Sequence, residues 1–224
     1  MTTPSISTSI RAGMIGLLVL GAGITWTGVH FQNADGSAFN PLRNFVSELG
    51  SQKLSRASGV FNVCLIVGSL LFFPLVRDLA ARLNRKMRRA VLTTGICALI
   101  GVIGCGFASM DHLKPHLGAA MLYFWGWLAT TLIFTVGLWR KYTFRHAPLL
   151  LLAGIASSLL AVIFLAVLLI ALIGILNGAF AAPQNFQRPA VWDIAVLEWS
   201  VVASFVVWMS AAMAHLHKTR PTPQ

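Results

Sequence analysis

Carboxylates and histidines, the side chains that most often carry acid–base or metal chemistry, gather in a few short segments of an otherwise apolar chain. Five of the six acidic residues lie in, or just inside, three connections between apolar runs. They are Asp35, Glu48, Asp111, Asp193 and Glu198. Three histidines, His30, His112 and His116, lie in or next to the same connections. In a chain that is 57% hydrophobic, this clustering is the best clue to a site.

Glu198 is the acidic residue placed most deeply in an apolar run, about two helical turns or roughly 10 Å from its start. A carboxylate at that depth costs about 3 kcal/mol unless it is protonated or paired, so it favours a functional role. The alternative is a protonated glutamic acid that hydrogen-bonds between helices. Asn62, five residues into the second apolar run, is expected to hydrogen-bond across helices, and Asp193 to cap the last helix.

The third connection carries Asp111, His112, Pro115 and His116. The two histidines have the spacing of two metal ligands on one helix, but Pro115 interrupts the segment. We therefore expect His112 to end the third helix, His116 to begin the fourth, and Asp111 to orient either ring. The alternative is a pair of interfacial histidines that bond to water and backbone.

Several established chemistries have no support in the sequence. A b-type haem is not expected, because no histidine lies in the middle of an apolar run. The chain contains no Walker loop, Gly-x-Ser-x-Gly, His-Glu-x-x-His or Cys-x-x-Cys motif.

The cysteines are expected to pack as small apolar residues; they are Cys64, Cys97 and Cys105. Close helix packing is expected at three glycines of the third run, Gly101, Gly104 and Gly106.

The elements that must position these residues are membrane-spanning helices. Only 10% of the residues are charged, whereas soluble domains have about 25%. An apolar run of about 20 residues crosses the hydrocarbon core as a helix. Six spans are predicted, at 12–32, 57–76, 90–110, 116–138, 147–176 and 191–215. The fold class is therefore an all-α, six-helix transmembrane bundle, formed as one integral membrane domain over 1–224 and placed in the inner (plasma) membrane.

The basic residues predict the orientation of the bundle. Twelve of the 17 lysines and arginines fall at the two termini and in the second and fourth connections. By the positive-inside rule, both termini are cytoplasmic, and the other connections face outward. This bias accounts for the net charge of +11, so the charge does not indicate that the protein binds nucleic acid. The run Arg77–Arg89 is expected to contact anionic lipid headgroups, unless it is only a topology signal.

The first outward loop has a helical pattern of its own at positions 40–50. Apolar residues at helical spacing form one side, namely Leu42, Phe45, Val46 and Leu49. Polar residues form the other side, namely Arg43, Asn44, Ser47 and Glu48. The pattern predicts a short amphipathic helix in the outer interface, whose polar face looks into the mouth between the helices. The alternative is a surface helix that only covers the bundle.

The same loop reads Asn-Pro-Leu-Arg-Asn-Phe-Val-Ser-Glu-Leu-Gly at 40–50 and resembles a bacterial membrane family known as domain of unknown function 998. Three further segments share the resemblance, namely Gly59-Val-Phe-Asn62, Asp111 and His116-Leu-Gly-Ala-Ala. The resemblance implies a six-helix integral membrane protein and no established reaction. A more distant similarity is to the eukaryotic Frag1/DRAM/Sfk1 membrane proteins, which have a comparable Ser-x-x-Gly loop. Where the family pattern has a basic residue after the last-helix glutamate, this chain has Trp199.

Three functions are consistent with these residues, and the sequence leaves open whether any reaction is catalysed. The leading hypothesis is a site that binds, or acts on, a lipid headgroup or small molecule from the outer face. Its catalytic candidates are Ser47, Glu48, His116 and Glu198. Its ligand-binding candidates are Arg43, Asn44, Asn62 and Asp111. A divalent metal could be held by Glu48, Asp111 and His116, with Ser47 orienting the substrate. The alternatives are a proton-coupled transporter that uses Glu198, and a structural subunit that assembles with copies of itself or with a partner.

Overall fold

The computed structural model describes residues 6–141, 147–176 and 189–219. The helices are α1 (Ile6–Val29), α2 (Ser58–Ala80), α3 (Arg85–Phe107), α4 (Leu113–Lys141), α5 (Pro148–Leu176) and α6 (Asp193–Lys218). All six are long and apolar enough to cross a membrane. The predicted all-helical bundle with six spans is confirmed. The cytoplasmic position of the termini stays a prediction, and three of the counted basic residues, Arg145, Arg188 and Arg220, lie outside the described residues.

The second connection, at 81–84, is shorter than predicted, and the third, at 108–112, lies three residues earlier than predicted. Helix α3 begins at Arg85, after Asn84 caps it by accepting a hydrogen bond from the Met87 backbone N–H at 3.0 Å. Five of the six basic residues in the run Arg77–Arg89 therefore lie in helices, one in α2 and four in α3, and the contact of the run with anionic lipid stays a prediction. Helix α4 begins at Leu113 with Pro115 in its first turn, where proline is tolerated because that N–H has no helical acceptor.

Consecutive helices pack side by side, and α6 returns to contact α1, which closes the bundle. Large apolar side chains project outward from all six helices, among them Leu18, Leu70, Phe107, Leu132, Leu149 and Val207. An apolar belt of this extent suits lipid and would be anomalous on a protein in water.

Helices α3 and α4 approach most closely at two glycines. A Cβ at Gly101 would collide with the backbone of Tyr123, and a Cβ at Gly126 would lie 2.7 Å from the backbone nitrogen of Ala98. The absence of side chains at these points lets the two backbones meet, as small residues do at membrane helix interfaces. The predicted close packing at Gly101 is confirmed.

Aromatic side chains fill the bundle toward the end opposite the 30–57 loop. Trp127 and Trp208 meet edge to face with ring centroids 5.0 Å apart, and Phe134 and Phe205 contact the same pair. Edge-to-face packing is a favoured geometry of aromatic pairs. Leu79, Leu138 and Leu216 are also fully buried in this core.

Candidate functional site

A long internal cavity lies between α1, α2, α3, α4 and α6, and α5 contributes none of its described residues to the wall. On α4 the lining residues recur every three or four positions, at His116, Ala120, Tyr123, Trp127 and Thr130. On α6 the same spacing gives Glu198, Val202, Phe205 and Met209. These are the repeats of one helix face, so each helix presents a continuous stripe to the cavity.

The dimensions of the cavity are those of a narrow channel. Its lining runs over positions 116–130 of α4 and 61–76 of α2, which corresponds to a length of about 20 Å. The volume open to the centres of water-sized molecules is about 130 Å³. If this volume is distributed evenly over a length of about 20 Å, the centres of such molecules have a path roughly 3 Å wide. Adding the ~1.4 Å radius of the molecule on each side gives a channel diameter of roughly 5–6 Å.

Polar groups concentrate at the end of the cavity under the 30–57 loop. Four predicted site residues line it there, namely Ser47, Asn62, His116 and Glu198. Most of the remaining wall is aliphatic or aromatic, with the hydroxyls of Ser69 and Thr130 directed to carbonyls of their own helices. The cavity is therefore amphipathic along its length. The sequence could not show this convergence, because it requires the loop and three different helices to meet.

Glu198 links the cavity to the loop. The side chain is only 6% exposed, and its Oε2 accepts a hydrogen bond from the backbone N–H of Val46 at 2.7 Å. The carboxylate also accepts hydrogen bonds from the hydroxyl and backbone N–H of Ser47. The start of the loop's short helix is thus tied to the last transmembrane helix through one carboxylate.

His116 has a defined tautomer in its neutral form. The residue is 5% exposed, and its Nδ1 lies 2.7 Å from the carbonyl oxygen of Ala108. Because a carbonyl can only accept, Nδ1 carries the hydrogen, and Nε2 of the neutral ring is left as an acceptor. Nε2 has no hydrogen-bond partner among the residues that the structure describes.

Asn62 hydrogen-bonds to the loop, whereas the sequence predicted a hydrogen bond to another transmembrane helix. Its Nδ2 donates to the carbonyl of Gly50 at 3.2 Å, and its Oδ1 packs against the Cα side of that glycine. A side chain at Gly50 would displace the amide. Asn62 therefore fixes the end of the loop's short helix above the cavity.

Two cavity residues, Tyr123 and Cys105, were missed by the sequence reasoning because both lie within apolar runs. Both line the cavity, together with Glu198 and His116. The signal was present for Tyr123, which is seven residues after His116 and hence on the same face of α4. No comparable signal marks Cys105.

The helix predicted at 40–50 is shorter than expected, and its faces are only partly as predicted: Ser47 lines the cavity and Leu49 is buried, but Glu48 and Leu42 are not placed as expected. Only Val46–Gly50 is helical, as a 3-10 helix, and Phe45 before it is extended (φ −67°, ψ 149°). Glu48, which was expected to face the mouth, is 2% exposed and accepts hydrogen bonds from the Asn44 amide and the Phe45 backbone N–H, both at 3.1 Å. Leu42, which was placed on the buried face, is 49% exposed.

Asn44 and Arg43 also serve the loop and not the cavity. Asn44 is fully buried and exchanges side-chain hydrogen bonds with Asn33 at 2.7 and 3.3 Å. Arg43 forms an ion pair with Asp35 at 2.8 Å. The Asp35 carboxylate accepts hydrogen bonds from the hydroxyl and backbone N–H of Ser37 and from the Arg43 guanidinium. These hydrogen bonds lower the pKa of Asp35 to about 2.

Asp111 joins the α3–α4 connection to the loop. Its carboxylate accepts hydrogen bonds from the Ser51 hydroxyl and the Gln52 backbone N–H, both at 2.7 Å, and from the Ser109 hydroxyl at 3.2 Å. Burial raises the pKa of Asp111, but these hydrogen bonds outweigh it, so the pKa lies below its ordinary value. Asp111 does not line the cavity.

The three predicted metal ligands are not brought together. Glu48 and Asp111 are engaged by hydrogen bonds of the loop, while His116 faces the cavity. Within 6–141, 147–176 and 189–219, no group of three or more His, Cys, Asp or Glu side chains is arranged to hold a metal ion.

Two tryptophans on the α6 side complete the attachment of the loop. The indole N–H of Trp199 donates to the carbonyl of Asn44 at 2.9 Å, and the backbone N–H of Trp192 donates to the carbonyl of Leu42 at 2.7 Å. The Trp199 indole therefore binds the backbone of the loop.

The comparisons with known proteins extend to the family and no further. No curated protein and no solved structure shows significant similarity to this chain. The sequence profile of the family described as Protein of unknown function (DUF998) matches residues 19–215, which confirms the predicted resemblance. Since the match includes the loop, His116 and Glu198, the chain belongs to the DUF998 family.

Proposed function

We propose that this protein binds a single-chain amphipathic molecule of the membrane in the cavity, with the hydrocarbon chain in the apolar part and the polar end beside Glu198 and His116. The observation that carries the proposal is the amphipathic cavity: its polar residues lie at one end of an apolar channel about 20 Å long.

The length of the channel matches the proposed occupant. One lipid acyl chain spans half of the ~30 Å hydrocarbon core, which is about 15 Å. A channel of about 20 Å therefore holds such a chain and leaves room for a small polar group. Its apolar walls disfavour water, because cavities lined by apolar side chains stay dry.

The width of the channel selects for one chain. Carbon atoms in contact lie about 3.5–4.0 Å apart, so a bore of roughly 5–6 Å admits one hydrocarbon chain and excludes two side by side. An ordinary two-chain phospholipid could place one chain in the channel only if the other stayed in the bilayer.

The cavity supports ligand binding better than transport. Transport needs a path to the opposite end of the bundle, where Phe134 and Trp208 pack edge to face and are almost fully buried. The only carboxylate on the cavity wall among the described residues, Glu198, is held at the loop end by Val46.

The experiment that tests this proposal is native mass spectrometry of the purified protein with an alkyl amine, an alkyl alcohol and a fatty acid of equal chain length. We expect at least one of these probes to bind one to one. The substitution Val202→Phe puts a larger side chain into the channel and should abolish binding of every probe.

Val207→Phe is the matched control, because it makes the same change on the exposed side of the same helix. It should bind the probes as the wild type does. Equal binding by the Val202→Phe variant and the wild type, with both proteins folded, would refute the cavity as the binding site. Failure of all three probes to bind the wild type would refute the proposed function itself.

A further inference from the structure

We infer that the polar end of the ligand is a cationic amine, so that the occupant is a long-chain amine and not an anionic lipid or a fatty acid. The inference rests on the proposed function and specifies its ligand class. It is carried by the charge and hydrogen-bonding character of the groups around Glu198.

Glu198 is a buried carboxylate without a cationic partner. Its hydrogen-bond donors, the Val46 backbone N–H at 2.7 Å and the Ser47 hydroxyl and backbone N–H, are all neutral. Among the described residues, no lysine, arginine or histidine forms an ion pair with it. Glu198 thus differs from Asp35 and Asp78, which are paired with Arg43 and Arg77.

The other groups at the polar end add no positive charge. No lysine or arginine lines the cavity in the described parts of the chain. The Glu48 carboxylate is close enough to interact with Glu198, and this repulsion makes the potential at the polar end more negative. Neutral His116 presents Nε2 as an acceptor, since Nδ1 donates to the Ala108 carbonyl.

A cation at the end of the ligand would satisfy this arrangement. A charged group in the apolar part of a membrane protein is stabilised by an opposite charge. Any donor makes a charge-assisted hydrogen bond to a carboxylate, but only a cation also forms an ion pair with it. The anionic end of a fatty acid would instead meet the Glu198 carboxylate and no basic side chain. An alcohol could hydrogen-bond to Glu198 but would leave its charge unpaired.

The test compares hexadecylamine, hexadecanol and hexadecanoate as competing ligands of the wild-type protein in nanodiscs made of uncharged lipid. We expect the amine to bind at least about tenfold more tightly than the alcohol, because both can donate a hydrogen bond to Glu198 but only the amine pairs its charge, and the carboxylate to bind most weakly. Equal affinity for amine and alcohol, or a preference for the carboxylate, would overturn the inference while leaving the proposed function intact.

The variant Glu198→Gln assigns the selectivity to this carboxylate. The amine should lose its advantage of about tenfold, while the alcohol should bind as it does to the wild type. The control Asp193→Asn removes a carboxylate five residues earlier on α6 that does not line the cavity, and it should keep the preference for the amine.

If Glu198→Gln does not fold, Glu198→Asp keeps the charge and should keep the order of affinities. Undiminished amine selectivity in folded Glu198→Gln protein would show that another group recognises the cation and would overturn the inference. Val202→Phe should lose binding of all three probes, because it blocks the channel. Glu198→Gln should lose only the preference for the amine, so the two variants distinguish occupation of the channel from recognition of the amine.

Discussion

Adding one methyl group at Gly101 should separate α3 and α4, two of the helices that form the cavity wall. A Cβ at this position would collide with the Tyr123 backbone nitrogen and lie 2.7 Å from its Cα and 2.8 Å from the carbonyl oxygen of Ala119. Ordinary carbon contacts are about 3.5–4.0 Å, so α3 and α4 must move apart by roughly 1 Å. The neighbours are backbone atoms and cannot rotate away.

The expected loss of stability in Gly101→Ala is therefore that of an overpacked interior, about 1–3 kcal/mol. The intrinsic preference of alanine over glycine in a helix, about 1 kcal/mol, opposes this loss only in part. Gly118→Ala is the matched control, because Gly118 is on α4, is exposed, and has no atom within 4 Å of its added Cβ. The control should be neutral or slightly stabilising.

The assay is the free energy of unfolding in a single detergent, measured by titration with SDS and followed by tryptophan fluorescence. Displacement of α4 also moves Tyr123 and His116 away from α3, so binding of a single-chain probe should weaken in Gly101→Ala and not in Gly118→Ala. If the two variants were equally stable, the close α3–α4 contact would be wrong, and with it the shape of the cavity wall.

Two further predictions concern the loop. Trp199→Phe keeps an aromatic ring against Phe39, whose ring centroid lies 5.9 Å away, but removes the N–H that binds the Asn44 carbonyl. The substitution should destabilise the docked loop by about 1–3 kcal/mol and speed its cleavage by protease. Trp26→Phe, at an exposed position, should have neither effect. Asp111 has a lowered pKa, so its stabilising effect is complete above its ordinary value of 3.8 and is lost as pH falls through the lower folded value. The difference in unfolding free energy between wild type and Asp111→Asn should accordingly be constant above pH ~5 and shrink below it; a constant difference down to pH ~2 would contradict this role.

Hydropathy was sufficient to predict the six helices, because each must satisfy its backbone internally while it presents apolar side chains to lipid. The errors were at the helix ends. Helices α3 and α4 both begin before the apolar runs from which they were predicted. The Asn84 side chain caps α3, and Pro115 is tolerated in the first turn of α4, so each helix can begin among polar residues.

The loop could not be predicted from helical spacing alone. The Asn40 side chain accepts a hydrogen bond from the Leu42 backbone N–H at 2.9 Å, and the Asn44 side chain accepts one from the Asn40 backbone N–H at 3.1 Å. These local bonds give the backbone an alternative to a helix, which is why asparagine favours turns. Glu48 then caps the remaining turn instead of facing the cavity.

The candidate site was predicted in part, and chain position explains which part. Glu198 and His116 lie within or at the start of helices whose apolar faces fix the direction of their side chains. Arg43, Asn44 and Asp111 lie in connections, where nearby serine, asparagine and backbone groups compete for them. Spacing along a helix is preserved in the fold, whereas the partners of a loop side chain depend on contacts that the sequence does not encode locally.

The hydrogen bonds that hold the loop to α6 have a consequence for biogenesis. The Val46 backbone binds Glu198, 152 positions later in the chain, and Asn44 binds Trp199, 155 positions later. A membrane protein is synthesised from its N-terminus, so the loop leaves the ribosome long before either partner exists. The roof of the cavity must therefore be the last part of the molecule to assemble. Until α6 inserts, the loop lacks both of these partners, so the polar end of the cavity is complete only after α6 has been synthesised.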